Sequence, residues 1–183
     1  MLLIIAIATA SMSGGQSAYA KSYKAKIRST INTFFGAARN INKKRMKRCF
    51  AGEGRLFRDS ERFYEMLKPY TKKIRWKVRR IKKKPKKVVA YVVVRYPSLY
   101  ASYWSALLKG MEGSDSSHID KAYILDIIER ELNRNEYHMV HTILKIRMQK
   151  VGKKWKIKEM KDNIMDVLYC GYISAVNDFM GIE

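Results

Sequence analysis

Acidic residues and cysteines are scarce in this chain. Its 183 residues include 16 Asp and Glu against 38 Lys and Arg, a formal charge of +22, and only two cysteines. Two cysteines cannot form the disulfide framework on which small secreted domains rely, so a hydrophobic core must stabilise the fold. The length is sufficient for one such core. With 3 Trp, 6 Phe and 12 Tyr, we expect the chain to fold despite its charge.

The predicted strands contain no carboxylate, and the sequence lacks several catalytic motifs. A carboxylate base would have to come from a helix, where Asp126 and Asp166 are the candidates. The sequence has no Gly-x-Ser-x-Gly motif and no glycine-rich phosphate loop. We therefore predict a non-catalytic protein. The strands without Asp or Glu are residues 74–81, 88–96, 137–151 and 155–157.

The histidines and cysteines do not form a metal-binding pattern. His138 and His141 point to opposite faces if residues 137–151 form a strand, and His118 lies in a predicted loop. We predict neither a metal site nor a cofactor. Cys49 and Cys170 either pair after export or remain partly buried thiols, and the basic residues around Cys49 are expected to lower its thiol pKa.

The first twenty residues have the pattern of a secretory leader. Leu2 to Ala10 form an apolar run, and Ala18-Tyr19-Ala20 fits a cleavage site. The run is shorter than the roughly 20 residues that span a bilayer. We predict a signal peptide over residues 1–20, one mature domain over 21–183, and an exported protein of the cell envelope or the medium. The alternative is a buried N-terminal helix or strand, because no Lys or Arg precedes the apolar run.

Hydrophobic periodicity predicts an α+β domain. Its helices and strands give N-terminal helices on a curved antiparallel sheet, a helical insertion between two hairpins and a C-terminal helix. The predicted helices cover residues 23–42, the segment from Asp59-Ser60 to Pro69, a segment starting at Pro97 and ending by Gly110 and Gly113, one ending near Asn135, and one from about Lys161 carrying Ile164 to Phe179. The strands pair as 74–81 with 88–96 and as 137–151 with 155–157.

Two details of the first hairpin can be predicted. Ile81 is out of phase with Ile74, Trp76 and Val78, which indicates a bulge. Residues 88–96 are apolar on both faces, which is typical of a central strand covered on both sides. A homodimer would supply one such cover.

Cationic density is the strongest signal in the sequence. Residues 72–87 contain eleven Lys or Arg, and Lys43 to Arg48 contain five. The first run predicts a hairpin that concentrates positive potential and binds anions, whereas the alternative is a solvated surface with no dedicated partner. The predicted anion-binding residues are Lys72, Lys73, Arg75, Lys77, Arg79, Lys82, Lys83, Lys84, Lys86 and Lys87.

The compartment decides between the anionic partners. An exported protein would meet anionic wall polymers or phospholipid headgroups. A protein that is not exported would meet nucleic acid, whose bases Trp76 and Tyr91 could stack on, although no nucleic-acid-binding motif is present.

Two stretches resemble the nuclear-transport-factor-2-like family, whose cystatin-like fold is a cone of helices packed on a curved sheet. Residues 29–38, Ser-Thr-Ile-Asn-Thr-Phe-Phe-Gly-Ala-Ala, resemble its opening helix, and residues 151–157, Val-Gly-Lys-Lys-Trp-Lys-Ile, resemble its closing hairpin. The chain is most similar to exported members from Gram-positive bacteria, which are largely without assigned activity. It lacks their lipid-attachment cysteine and is more basic.

The resemblance also implies a cavity inside the cone. Enzymes of this fold use an Asp or a His–Asp pair there, so the alternative function is a small-molecule-binding protein or an enzyme similar to ketosteroid isomerase. The candidate lining residues, any of which could equally be core, are Tyr91, Tyr103, Trp104, His141 and Trp155.

Overall fold

The computed structural model describes residues 13–52, 61–85, 87–112, 121–134 and 136–182, with side chains from residue 23 onward apart from that of residue 121. Within these ranges the chain forms seven helices and four strands. In chain order they are α1 (Ser13–Arg39), α2 (Lys43–Lys47), α3 (Glu61–Thr71), β1 (Arg75–Lys84), β2 (Lys87–Ser98), α4 (Tyr100–Glu112), α5 (Lys121–Arg134), β3 (His138–Val151), β4 (Lys154–Ile157), α6 (Asp162–Leu168) and α7 (Tyr172–Met180).

The strands form a curved antiparallel sheet in the order β1-β2-β3-β4. Because α4 and α5 are inserted between the two hairpins, with helices before and after the sheet, the predicted α+β class and element order are confirmed. The bulge is confirmed as well, since the β1–β2 register shifts between Val78 and Arg80.

One core lies between α1 and the sheet. Ile27, Ile31, Phe34 and Phe35 of α1 are fully buried against the alternate residues of β2 and β3 that face the helix. Trp76 of β1 stacks on Phe35 with ring centroids 5.5 Å apart. The spacing of three and four along α1 and of two along the strands therefore produces the burial that the sequence predicts.

A second core joins the remaining helices. Phe63 and Leu67 of α3, Tyr103 of α4, and Ile127 and Ile128 of α5 are buried in it. Gly110 lies inside α4 instead of ending it. Its lack of a side chain permits the close approach of α5, since a Cβ at this position would lie 2.6 Å from Cδ1 of Ile124.

Three predicted boundaries are wrong. Pro69 lies within α3, which continues to Thr71; proline near a helix end leaves only the Glu65 carbonyl without its helical donor. Pro97 lies in β2, where it pairs with Met139 of β3. This position lies beyond Arg75↔Arg95, the last pair between β1 and β2. The predicted closing helix is two helices.

The break between α6 and α7 is a turn at Cys170 and Gly171 that is attached to the rest of the fold. Cys170 and Gly171 have positive φ angles of 54° and 95°, and the Gly171 amide donates to the Asp166 carbonyl oxygen over 2.8 Å. The Leu99 amide donates to the Cys170 carbonyl oxygen over 2.7 Å, so this turn is attached to the end of β2. A tertiary hydrogen bond thus fixes a turn that the apolar periodicity of the segment does not reveal.

The leader prediction falls partly outside the described residues, because residues 1–12 are not among them. Residues 13–20 form the first turns of α1. Within the described helices, no segment combines the length and the apolar character needed to cross a bilayer.

Candidate anion-binding surfaces

Basic and acidic residues are distributed unequally between the elements that surround the two cores. Helices α1 and α2 and the four strands contain 23 Lys and Arg and no Asp or Glu, whereas α3 to α7 contain six basic and nine acidic residues. The sheet and its covering helix therefore form a strongly cationic half, and the helical core forms a nearly neutral one. Such separation focuses positive potential on one side of the molecule.

One face of the sheet is turned away from α1, and we call it the open sheet face. Its side chains alternate with the buried ones along each strand. The apolar centre is formed by Tyr91, Val93 and Ile143, and Ile143 is 60% exposed. Around it lie ten cations: Arg75, Lys77, Arg79, Arg80, Lys82 and Lys84 of β1, Lys87 and Arg95 of β2, and Lys145 and Arg147 of β3.

The bulge in β1 makes this face continuous. Val78 and Ile81 are both buried although three positions apart, so Arg79 and Arg80 between them both point outward. In an unbroken strand of period two, Lys82 would lie on the same face as Val78. The extra residue instead moves Lys82 to the open sheet face, where its Nζ lies 5.9 Å from the Tyr91 ring centroid.

Few of these cations are neutralised. The Arg147 guanidinium lies 3.4 Å from the Glu159 carboxylate. For the other nine, no described carboxylate lies within 4.0 Å. The charge of the open sheet face is consequently available to an external anion.

The structure divides the predicted anion-binding residues into three groups. Arg75, Lys77, Arg79, Lys82, Lys84 and Lys87 share the open sheet face. Lys72 and Lys73 precede β1, with the Lys73 ammonium 4.1 Å from the Tyr137 ring centroid, and Lys83 is exposed opposite Val88 at the end of the hairpin. Lys86 lies outside the described residues.

The strands of the first hairpin extend beyond the predicted bounds of 74–81 and 88–96. Pairing continues to Lys84↔Lys87, so most of the lysines from Lys82 to Lys87 are strand residues. Sequence reasoning also missed Arg80, Arg95, Lys145 and Arg147. Their shared face follows from the bulge and from the β2–β3 register, which pairs Tyr91 with Lys145 and Val89 with Arg147.

The second prediction for β2, a cover on both faces, holds only in part. The side facing α1 is fully buried, and Val89 on the other side is 7% exposed. Tyr91 and Val93 are only half-buried, and Arg95 is exposed. Paired strands and long cationic side chains cover part of the outer side, and no described helix completes the cover.

A groove of about 510 Å³ lies at the opposite edge of the sheet, between α1, α2 and the β3–β4 hairpin. Among the described residues, its lining contains six cations, three hydroxyl side chains and no carboxylate. We call it the edge groove. It is lined by Lys26, Ser29, Thr30, Thr33, Arg45, Arg48, Cys49, Lys153, Lys154, Trp155 and Lys156.

Hydrogen bonds hold the walls of the edge groove together. The Ile157 amide donates to the Cys49 carbonyl oxygen and the Ala51 amide to the Ile157 carbonyl oxygen, both over 2.8 Å. The Thr30 hydroxyl donates to the Trp155 carbonyl oxygen over 2.7 Å. These bonds fix α1, the end of α2 and β4 relative to one another, so the groove is largely pre-formed.

Both cysteines are buried and unpaired, Cys49 in the core under α1 and Cys170 in the helical core. Burial raises the pKa of the Cys49 thiol, and the nearby cations Arg45 and Lys156 offset only part of this effect. The sequence-based expectation of a lowered thiol pKa is therefore wrong, because desolvation outweighs the local positive charge. Burial also raises the pKa of the Cys170 thiol.

The predicted cavity-lining residues are spread over the molecule. Tyr91 and His141 lie on the sheet side away from α1, and Tyr103 is buried in the helical core. Trp104 stacks on Tyr100 with centroids 6.0 Å apart. Trp155 lines the edge groove and packs on Tyr23.

The two helical carboxylates proposed as bases have different surroundings. Asp166 is 9% exposed, accepts from the Tyr96 hydroxyl over 3.2 Å and accepts from the Ser174 amide over 2.8 Å. Asp126 is exposed and pairs with Arg62 over 2.6 Å. In both cases the carboxylate already holds a partner that maintains the fold or its surface.

His138 and His141 lie on β3, three positions apart, and so point to opposite faces as predicted. Among the described residues, no group of three or more His, Cys, Asp and Glu could hold a metal ion.

Neither a protein-family model, nor a curated protein, nor a solved structure matches this chain. The geometry and charge of the two cationic surfaces are therefore the features from which a function can be inferred.

Proposed function

We propose that this protein is a non-catalytic binding module that attaches to an anionic phospholipid surface through the open sheet face. The observation that carries the proposal is the combination of ten cations with an apolar centre on one face. Cations near an anionic bilayer contribute about 1 kcal/mol each. Export, and with it an extracytoplasmic location, remains a prediction from the sequence, as does membership of the nuclear-transport-factor-2-like family.

The apolar centre favours a lipid surface over a soluble polyanion. Ile143 is 60% exposed and lies beside Val93. A bilayer interface offers an apolar phase into which such side chains can be buried, whereas a wall polymer in solution does not. Tyr91 beside Lys82 and Lys145 also suits nucleic acid, and the experiment below separates the two partners.

The experiment compares two variants that lose the same charge. The first is K77Q/R80Q/K82Q/K145Q on the open sheet face, and the control is K68Q/R130Q/R134Q/K161Q on the helical half. Four cations at about 1 kcal/mol each correspond to a loss of affinity on the order of 10³-fold for vesicles of phosphatidylglycerol and phosphatidylcholine. The control should lose less than about ten-fold, since its cations lie away from the contact.

Ile143→Ala identifies the partner. Losing the burial of the exposed part of this side chain costs about 1 kcal/mol, or roughly a five-fold loss of vesicle binding. Met180→Ala, at a methionine that is 65% exposed on α7, is the matched control. Binding of poly(glycerol phosphate), as a wall-polymer probe, and of single-stranded DNA should be unaffected by I143A.

Three results would overturn the proposal. Equal loss in the two charge variants would mean that net charge alone governs binding. Tighter binding to DNA, insensitive to I143A, would favour the nucleic-acid alternative. A dimer in light scattering that dissociates in I143A would show that a second copy covers the face. Export is checked separately, by whether the native protein begins at Lys21.

A further inference from the structure

We infer that the edge groove is a binding site for a small, multiply phosphorylated anion, independent of the open sheet face. Its volume of about 510 Å³ lies within the range of about 300–1,000 Å³ that is typical of small-molecule sites. A described lining of six cations with no carboxylate among them favours a ligand of several negative charges.

The donors of the groove converge from three directions. Lys26, Thr30 and Thr33 occupy successive turns of one face of α1. Arg45 in the middle of α2 and Arg48, the residue that follows the helix, are three positions apart and face the same space. A guanidinium offers paired N–H donors that match phosphate oxygens. The Ser29 and Thr33 hydroxyls can donate to the remaining oxygens, since the Thr30 hydroxyl already donates to the Trp155 carbonyl oxygen.

The third wall comes from the hairpin between β3 and β4. Lys153, Lys154 and Lys156 line the groove together with the half-buried Trp155. Because the cations lie close together without an internal carboxylate, they repel one another when the groove is empty. A bound polyphosphate would relieve this repulsion, whereas a single phosphate carries too little charge to satisfy all three walls.

Helix α2 supplies a matched pair of variants for the test. Arg45 and Arg48 line the groove, while Lys44 and Lys47 on the same segment do not and are exposed. The variants R45Q/R48Q and K44Q/K47Q therefore lose the same charge from the same segment, one pair inside the groove and the other outside.

The probe is inorganic tripolyphosphate, measured by calorimetry and by the change in tryptophan fluorescence. Wild-type protein should bind it at least about ten-fold more tightly than inorganic phosphate. R45Q/R48Q should weaken tripolyphosphate binding by about ten-fold or more, and K44Q/K47Q by less than about three-fold. W155F should abolish most of the fluorescence change, which places the ligand in this groove.

Absence of tripolyphosphate binding by the wild type, or equal losses in the two α2 variants, would overturn the inference. If R45Q/R48Q does not fold, K153Q/K154Q at the exposed hairpin turn replaces it. The test is separable from that of the proposed function: R45Q/R48Q should retain vesicle binding, and K77Q/R80Q/K82Q/K145Q should retain tripolyphosphate binding.

Discussion

Asp166 connects three elements, and we expect its removal to destabilise the fold strongly. Its two carboxylate oxygens accept from the Tyr96 hydroxyl of β2 and from the Ser174 amide in the first turn of α7. The residue preceding α7 is Gly171, which has no side chain to cap the helix. Asp166 therefore performs from α6 the capping role that a Ser or Asp usually performs locally.

The cost of Asp166→Ala can be estimated from these contacts. A hydrogen bond to a charged acceptor contributes about 1.5–3 kcal/mol, and the buried Tyr96 hydroxyl would also lose its partner, so we expect a loss of about 3–4 kcal/mol. For a chain of this length that corresponds to a fall in Tm of about 10 °C. Thermal unfolding followed by circular dichroism is the assay.

Asp126→Ala is the control, because this carboxylate is exposed and its surface ion pair with Arg62 contributes little to stability. If the D166A and D126A variants lower Tm equally, the structural role of Asp166 is refuted. A D166A variant of normal stability would also return this carboxylate to the candidates for a general base.

Three further predictions concern buried titratable groups. The Lys109 ammonium lowers the pKa of the Glu131 carboxyl below its ordinary value of 4.5. The stability that Glu131 contributes is therefore present above that value and lost as the pH falls through the lower folded pKa. The Tm values of E131Q and wild type should differ at pH 7 and converge in acid, and a constant difference would contradict this. The Tyr103 hydroxyl has no hydrogen-bond partner within the part of the chain that the structure describes. Y103F should therefore keep or raise the free energy of unfolding, by up to about 1 kcal/mol, in a urea titration, and a clear loss would reveal a partner. Burial raises the thiol pKa of Cys49 and of Cys170, so both should react with iodoacetamide much more slowly than an exposed cysteine peptide at pH 8, whereas a fast reaction of either would contradict its burial.

Much of the architecture could be predicted because it depends on periodic burial. The three-four spacing from Ile27 to Ala38 and the alternation from Val140 to Met148 are visible in the sequence. The structure buries the helix face and the second half of the strand face, whereas Val140 and Thr142 in the first half are half-buried. The bulge was predicted in the same way, because Ile81 is out of phase with the other apolar residues of its strand. The helix of residues 121–134 was predicted for the same reason, with Ile127, Ile128 and Leu132 buried.

Boundaries set by tertiary contacts could not be predicted in this way. Glycine often ends helices, yet Gly110 lies inside α4 and permits the close approach of Ile124. The turn at Cys170 and Gly171 is held by Leu99, which is distant in sequence. Burial along α4 does not follow hydrophobicity either: Ser102 and Ala106 are buried, whereas Leu108 and Met111 are 42% and 58% exposed.

The sequence alone determined the excess of cations, the long basic stretches without acidic residues, and the periods of the helices and strands, because these are properties of composition and local order. Only the tertiary structure decided where that charge acts. The bulge aligned Arg79, Arg80 and Lys82 on one face, and strand pairing brought Lys145 and Arg147 beside them. Backbone hydrogen bonds between Ile157 of β4 and residues 49–51, just after α2, likewise joined two basic segments more than a hundred residues apart into one groove, since the field at a surface depends on distances in space and not along the chain.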